Sequence, residues 1–248
     1  MNILLVNDDG YKAEGINVLD EVLTSYGHRI YMVAPMEEQS GKSHSMTVSG
    51  SVKAVEFKEN HFYLTGSPAD CIIYSIRSGL INDHIDAVVS GINHGYNVST
   101  DITYSGTCGA ARQAAIFGMK AIAISTDKKK GENEYKFRET AEFLAKNLEL
   151  FIRHIKGDAF LNINTPSDFN GQYELADLGA IDYFDDISIR REDNGKITLK
   201  VEGMVTNLRS FSKKHRADFE VTASGKASVS FIDIRPHVSY PHMESFCV

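Results

Sequence analysis

Cysteine is scarce in this chain: Cys71, Cys108 and Cys247 are the only three among 248 residues. Their number is odd and their spacing wide. Neither a disulfide framework nor a thiolate zinc site is indicated, and a reducing cytoplasm is the expected setting. Long apolar runs are missing too. No stretch approaches the roughly 20 residues needed to span a bilayer. Ile3–Val6 has no basic segment before it, so it reads as a strand rather than a signal core. Positive charge is in deficit: 33 acidic residues outnumber 26 basic ones, leaving a formal net charge of −7. That balance argues against a general binder of nucleic acid or of anionic membrane surfaces. It leaves room for a small phosphorylated substrate, whose charge a bound cation can offset.

Several familiar motifs are also absent. No Gly-x-Gly-x-x-Gly follows the first strand, where Gly10 and Gly15 stand apart, so a dinucleotide site is disfavoured. Gly41-Lys42-Ser43 ends like a phosphate-binding P-loop, but Met36 occupies the place of its leading glycine. Asp8 and Asp9 are adjacent, not two apart as in haloacid-dehalogenase phosphatases. No Gly-x-Ser-x-Gly elbow occurs.

What the chain does contain is alternation. Ile3–Val6, Arg29–Ala34, Ile85–Val89, Ala121–Ser125 and Ala159–Ile163 read as short buried strands. Helical faces lie between them: Ile16, Leu19, Val22 and Leu23; Ile72, Ile73, Ile76 and Leu80 behind a Ser67-Pro68 cap; the alanine-rich Thr107–Phe117; and Arg138–Ile155. Strands alternating with helices predict an α/β fold, a Rossmann-like three-layer core with a mostly parallel sheet. Residues 47–65 carry β-type content around a polar turn and predict a β excursion. Asp127–Lys136 reads as a charged loop. After Pro166 the pattern changes: Ile187, Ile189 and then Ile197, Leu199, Val201 alternate around Asp193-Asn194-Gly195, a hairpin signal. The expected organisation is a catalytic core over 1–169 and a β-rich extension over 170–248, serving oligomerisation and walling the active site.

In such a sheet, ligands bind outside the carboxyl ends of the strands. Three polar clusters fall there: Asn7-Asp8-Asp9-Gly10, the run Gln39–Ser45, and Ser90–Asn97. Two adjacent carboxylates repel each other and are most easily tolerated beside a hard divalent cation. Two carboxylates, a hydroxyl and an amide carbonyl make an all-oxygen set, suited to Mg²⁺ or Mn²⁺ rather than zinc. A fourth cluster, Tyr104-Ser105-Gly106-Thr107, opens a helix whose free N–H groups suit a phosphate. Cation and phosphate cradle on one rim point to phosphoester hydrolysis. Taken singly each cluster has a plainer reading: a turn for Asp-Asp-Gly, a helix cap for Ser105 or Thr107, a loop residue for Ser40, and solvent-exposed or structural rings for His44 and His94.

Taken together, the clusters resemble the SurE family, stationary-phase survival proteins with 5′/3′-nucleotidase activity. The matching residues are Asn7-Asp8-Asp9-Gly10, Val33-Ala34-Pro35 with Gln39-Ser40-Gly41, Ser43-His44-Ser45, Gly66-Ser67-Pro68-Ala69-Asp70-Cys71, Ser90-Gly91-Ile92-Asn93-x-Gly95-x-Asn97, Tyr104-Ser105-Gly106-Thr107 and Asn162-x-Asn164-x-Pro166. By that resemblance, Asp8, Asp9, Ser40 and Asn93 are the ligands of one divalent cation per subunit, Mg²⁺ or Mn²⁺, with Asp8 and Asp9 central to catalysis. Asn97, Ser105, Gly106 and Thr107 are the phosphate-side residues. The implied activity is hydrolysis of nucleoside monophosphates by a homodimer or homotetramer, with no membrane or specific nucleic-acid partner. One departure stands out. Where the family has a small-residue run leading to a Glu-Gly pair, this chain has Cys108-Gly109-Ala110-Ala111-Arg112-Gln113. A nucleotide sensor without turnover, and a scaffold with a structural aspartate turn, are the competing readings.

Overall fold

The first strand sets the layers. In β1 (Asn2–Val6) successive side chains point to opposite faces of the sheet. Ile3 and Leu5 join one buried cluster while Leu4 and Val6 join the other. The first cluster is completed by α1 (Glu14–Ser25) and α4 (Phe137–His154). The second is completed by α2 (Pro68–Arg77) and α3 (Gly106–Ile116). This is the three-layer α/β arrangement expected from the alternation. The computed structural model describes residues 1–128, 131, 134–211 and 214–235. Cys247 and part of the charged loop over 127–136 lie outside them.

The remaining strands are β2 (Arg29–Pro35), β3 (Ala54–Lys58), β4 (His61–Leu64), β5 (Ala87–His94), β6 (Ala121–Thr126), β7 (Ala159–Thr165), β8 (Tyr173–Leu175), β9 (Ala180–Arg191), β10 (Ile197–Arg209) and β11 (Ala227–Asp233). The main sheet runs β3-β4-β2-β1-β5-β6-β7-β11-β8, with β4, β2, β1, β5, β6 and β7 mutually parallel. From β1 the chain winds outward to β2. It then returns to the other side of β1 for β5, β6 and β7. The crevice between β1 and β5 is therefore the switch point, where α/β sheets bind ligands.

Sequence and structure differ in instructive places. The β excursion is confined to β3 and β4 within 47–65. It does not leave the core, because β4 pairs parallel with β2 and lengthens the sheet. The strand read at Ile85–Val89 is β5, which starts later and continues to His94. Its second half carries Ser, Gly, Asn and His and so looks like a loop. A register shift between Ser90 and Asn93 interrupts its pairing with β6. Gly91 is required there: its φ is +138°, and a Cβ would stand 2.2 Å from the Ile124 carbonyl oxygen.

The expected cap of α2 is present in full. Ser67 Oγ accepts from the Asp70 N–H (3.1 Å), Asp70 Oδ2 accepts from the Ser67 N–H (2.9 Å), and Pro68 takes the first helical position. Beyond residue 170, β11 pairs antiparallel with β7 and parallel with β8, extending the core sheet. Only β9 and β10 form a separate two-stranded ribbon around the Asp193-Asn194-Gly195 turn. A buried clamp fastens this region to the core. Asp218, first residue of α5 (Asp218–Thr222), accepts from the Ser99 N–H (2.6 Å) and the Ser99 hydroxyl (2.7 Å). No helix among the described residues is long and apolar enough to cross a membrane.

Candidate metal and phosphate site

Asp8 and Asp9 follow directly on β1, at the mouth of the switch-point crevice. Three elements close around them. The loop after β2 arrives through the Gln39 N–H, which donates to the Asp8 carbonyl (2.7 Å); Ser40 is the next residue of that loop. The end of β5 arrives through His94, whose Nδ1 lies 2.8 Å from Asp9 Oδ1; Asn93 is its neighbour in the chain. The first turn of α3 arrives through the Thr107 hydroxyl, which donates to Asp8 Oδ1. Gly106 is where α3 comes closest: a Cβ on it would stand 2.8 Å from Asp8 Cβ. Any larger residue there would push the carboxylate or the helix aside.

The electrostatics are those of an anion site short of positive charge. Burial pushes the Asp8 carboxyl up to about 6; the Thr107 hydroxyl opposes this and the adjacent Asp9 charge adds to it. The hydrogen bond with Asp9 raises the His94 imidazole, against the opposing effect of its own burial. Two buried oxygens, Asp9 Oδ2 and Asn7 Oδ1, have no hydrogen-bond partner among the described residues. Such groups are costly unless something else satisfies them.

The donor chemistry fits a hard cation. Asn93 gives its amide N–H to the Gly95 carbonyl (2.9 Å), leaving Oδ1 as the atom able to ligate. Ser40 donates to Glu38 Oε1 (2.8 Å), which leaves its lone pairs. No cluster of three or more His, Cys, Asp or Glu side chains suited to a metal exists among the described residues. By their own chemistry Asp8, Asp9, Ser40 and Asn93 offer oxygen only, the preference of Mg²⁺ or Mn²⁺.

The phosphate-side residues divide. Ser105 caps α3 by accepting from the Cys108 N–H (3.0 Å), and with Gly106 and Thr107 it frames that helix N-terminus. Asn97 sits apart, in a net of buried amides. Its N–H donates to Asn164 Oδ1 (2.8 Å), its amide N–H to Ser125 Oγ (2.8 Å), and its carbonyl accepts from Asn162 (2.7 Å) and Asn164 (3.1 Å). Asn162 also accepts from Cys108 Sγ (3.6 Å), which ties Asn97 to the start of α3. Burial pushes the Cys108 thiol up to about 12, so it is a packing group rather than a nucleophile.

Sequence reasoning left three of these features unassigned. Asn162 and Asn164 are fully buried on β7. Two amides spaced by two in an otherwise apolar strand were the available signal, since they share a face. His94 gave none beyond its place among glycines. Gln113, the departure from the family pattern, holds the loop that carries Ser40: its Oε1 lies 2.9 Å from His44 Nε2. Gly109 lets that loop approach, with the Ser43 carbonyl oxygen 2.7 Å from where a Cβ would be.

His94 fixes the orientation of Asp9, so its loss is felt at any cation the carboxylate holds. His94→Ala is expected to weaken Mn²⁺ binding about 10- to 100-fold, the usual cost of losing a residue that orients a ligand. Calorimetric titration of the variant with Mn²⁺ checks this; wild-type affinity would contradict it.

Comparison with known proteins agrees with the geometry. The family model described as survival protein SurE matches residues 3–184. A protein from Leptospira interrogans named 5′-nucleotidase SurE is 34% identical over 233 residues, covering 93% of this chain and 90% of its own length. One of the same name from Geotalea daltonii is 41% identical over 169 residues, covering 67% and 66%. The crystal structure of the SurE protein from Aquifex aeolicus superposes with a TM-score of 0.81 at 29% identity, over 99% of this chain and 98% of that one. The chain belongs to the SurE family.

Proposed function

We propose that the protein is a divalent-metal-dependent phosphomonoesterase that hydrolyses nucleoside monophosphates to nucleoside and phosphate. The observation that carries this is the carboxylate pair at the β1–β5 crevice: Asp8 accepts from Thr107 in the first turn of α3, and the adjacent Asp9 keeps an unpartnered Oδ2. The relatives' shared name, 5′-nucleotidase SurE, supports the same reading.

Asp8, Asp9, Ser40 and Asn93 would hold the cation. When bound, it supplies the positive charge that offsets the phosphate and polarises the ester for attack by water. The protein's own groups do the rest. Ser105, Gly106 and Thr107 present the helix N-terminus to the phosphate oxygens, where N–H donors gain strength as charge redistributes. Thr107 also keeps a hydroxyl on Asp8, favouring its charged form. Asn97, fixed by Asn162 and Asn164, offers a rigid polar edge. His94 holds Asp9 in one orientation.

Free phosphate released from a panel of nucleoside 5′- and 3′-monophosphates tests the proposal directly. Release is expected with Mn²⁺ or Mg²⁺ and is expected to be abolished by EDTA. Tight nucleotide binding without release would favour a sensor instead.

The protein is also proposed to work as a homo-oligomer in the cytoplasm. On the ribbon, Ile187 faces Val201 and Ile189 faces Leu199, each more than half exposed. An apolar strip of this kind is an association surface rather than a solvated one. Cys71 and Cys108 are free and buried, in keeping with a reducing compartment. Sedimentation velocity is expected to give a dimer or tetramer; a monomer at micromolar concentration would contradict it.

A further inference from the structure

The segment that leads into α3, from Ser99 to Ser105, is held from three sides. From α5, Asp218 takes both donors of Ser99. From the base of the ribbon, β9 reaches the segment twice. The Thr100 hydroxyl donates to the Ile181 carbonyl (3.0 Å) and accepts from the Ile181 N–H (3.1 Å). The Tyr183 hydroxyl donates to Asp101 Oδ1 (2.6 Å). From the loop after β2, the Ser43 N–H donates to the Tyr104 carbonyl (2.9 Å) and the Ser43 hydroxyl to the Thr103 carbonyl. The ribbon is thus tied by side chains to the turn that starts α3.

We propose that Tyr183 is a positioning residue for the phosphate side of the site, acting through Asp101 on Ser105; this rests on the phosphomonoesterase reading above. The path is short and every step is a hydrogen bond. The Asp101 carbonyl accepts from both the Tyr104 N–H (2.9 Å) and the Ser105 N–H (3.2 Å). Ser105 in turn caps α3 by accepting from the Cys108 N–H (3.0 Å). A turn closed on one carbonyl moves with the residue that owns it. Asp101 is held by its own side chain, and Tyr183 is what it is held to. Burial raises the Asp101 carboxyl, and the Tyr183 hydroxyl opposes this by favouring the charged form. A charged acceptor makes the stronger bond. The aim of the helix N-terminus matters because hydrogen bonds weaken steeply once donor and acceptor are misaligned. Without the Tyr183 hydroxyl the turn loses its tie to β9, and the N–H groups of α3 lose part of their aim at a phosphate.

The test uses three variants and one combination. Tyr183→Phe removes the hydroxyl and keeps the ring. Asp101→Ala removes the acceptor, and Asp101→Asn keeps an oxygen for the Tyr183 hydroxyl. Each is assayed with Mn²⁺ for KM on adenosine 5′-monophosphate. Calorimetry gives its affinity for inorganic phosphate and, separately, for Mn²⁺. Tyr183→Phe and Asp101→Ala are each expected to raise KM and weaken phosphate binding about three- to tenfold, the weight of one hydrogen bond. The double variant is expected to lose no more than the larger single loss, because both changes break the same contact. Asp101→Asn is expected to stay within about twofold of wild type, and Mn²⁺ affinity is expected to stay within that range throughout. A contact that only braces the ribbon would lower the melting temperature and leave phosphate affinity at its wild-type value. That result overturns the inference, and so does an additive loss in the double variant. If Asp101→Ala does not fold, Tyr183→Phe decides on its phosphate affinity. A wild-type protein that releases no phosphate from any nucleotide overturns the phosphomonoesterase reading. An active wild type beside a Tyr183→Phe variant of unchanged phosphate affinity overturns the inference alone, so the two failures are distinct.

Discussion

Asp8→Asn and Asp9→Asn are each expected to reduce phosphate release on the order of 100-fold or more, and to abolish measurable Mn²⁺ binding at micromolar protein. The expectation follows from charge. Each substitution keeps the shape of the side chain and removes half of the formal negative charge that a cation would meet. Either one also brings an N–H₂ group into a cluster whose other candidate donors are a hydroxyl and an amide oxygen. The pH dependence has a definite sign. Asp8 in the metal-free protein titrates at about 6, above its ordinary 3.8, chiefly because it is buried. A carboxyl raised on folding makes the fold take up a proton between those values. The cost of burying its charge therefore grows as pH rises through that window and is fully present above about 6. A cation relieves that cost, and below about 6 it must displace a proton to bind. Mn²⁺ is accordingly expected to raise the melting temperature more above pH 6 than below it, and the difference is expected to vanish in Asp8→Asn. Thermal scans with and without Mn²⁺ across that range, with phosphate release measured alongside, check both. Near-normal turnover in either purified variant would contradict the assignment.

Asp218→Ala is expected to be the most destabilising substitution outside the apolar core. The Asp218 carboxylate is fully buried and accepts from the Ser99 N–H and hydroxyl and from the Phe219 N–H (3.0 Å). Ser99 itself sits at φ +54°, a conformation that a serine adopts only under constraint. Removing the carboxylate leaves buried donors unsatisfied and releases that constraint. Hydrogen bonds to charged groups contribute about 1.5–3 kcal/mol each and are only partly additive, so a loss of about 3 kcal/mol is expected. For a chain of this length that lowers the melting temperature by about 6–12 °C. Asp218→Asn keeps one acceptor oxygen and is expected to lose less. A melting temperature within about 2 °C of wild type for Asp218→Ala would show that the clamp contributes little.

The order of strands and helices was legible because each element repeats a local rule. Leu4 and Val6 against Ile3 and Leu5 announce a strand buried on both faces. Ser67-Pro68 with Asp70 announces the start of α2. Asp193-Asn194-Gly195 announces the ribbon turn. The place of the candidate site was legible too, since Asp8-Asp9 follows β1 at the point where a parallel sheet changes winding direction, and the α3 start and the end of β5 do reach the pair through Thr107 and His94. The rest depends on contacts between residues far apart in the chain. Nothing near Ser99 indicates that Asp218, 119 positions later, will take its donors. Ser90–His94 reads as a loop by composition, yet pairing with β6 resumes at Asn93 after a register shift. The parallel pairing of β4 with β2 carries no local signature, because an edge strand and an excursion have the same residue pattern. In the sequence Gln113 is only part of a departure from the family pattern; its role as an anchor for His44 exists only once α3 lies against the Ser40 loop.

The central claim is that neighbouring carboxylates at the end of β1 hold a divalent cation with Ser40 and Asn93. Anomalous diffraction from crystals soaked in Mn²⁺ tests it most directly. A single strong peak is predicted within about 2.0–2.4 Å of oxygens from Asp8, Asp9, Ser40 and Asn93. An anomalous map with no peak beside Asp8 and Asp9, from crystals whose protein still releases phosphate in EDTA, would contradict the account.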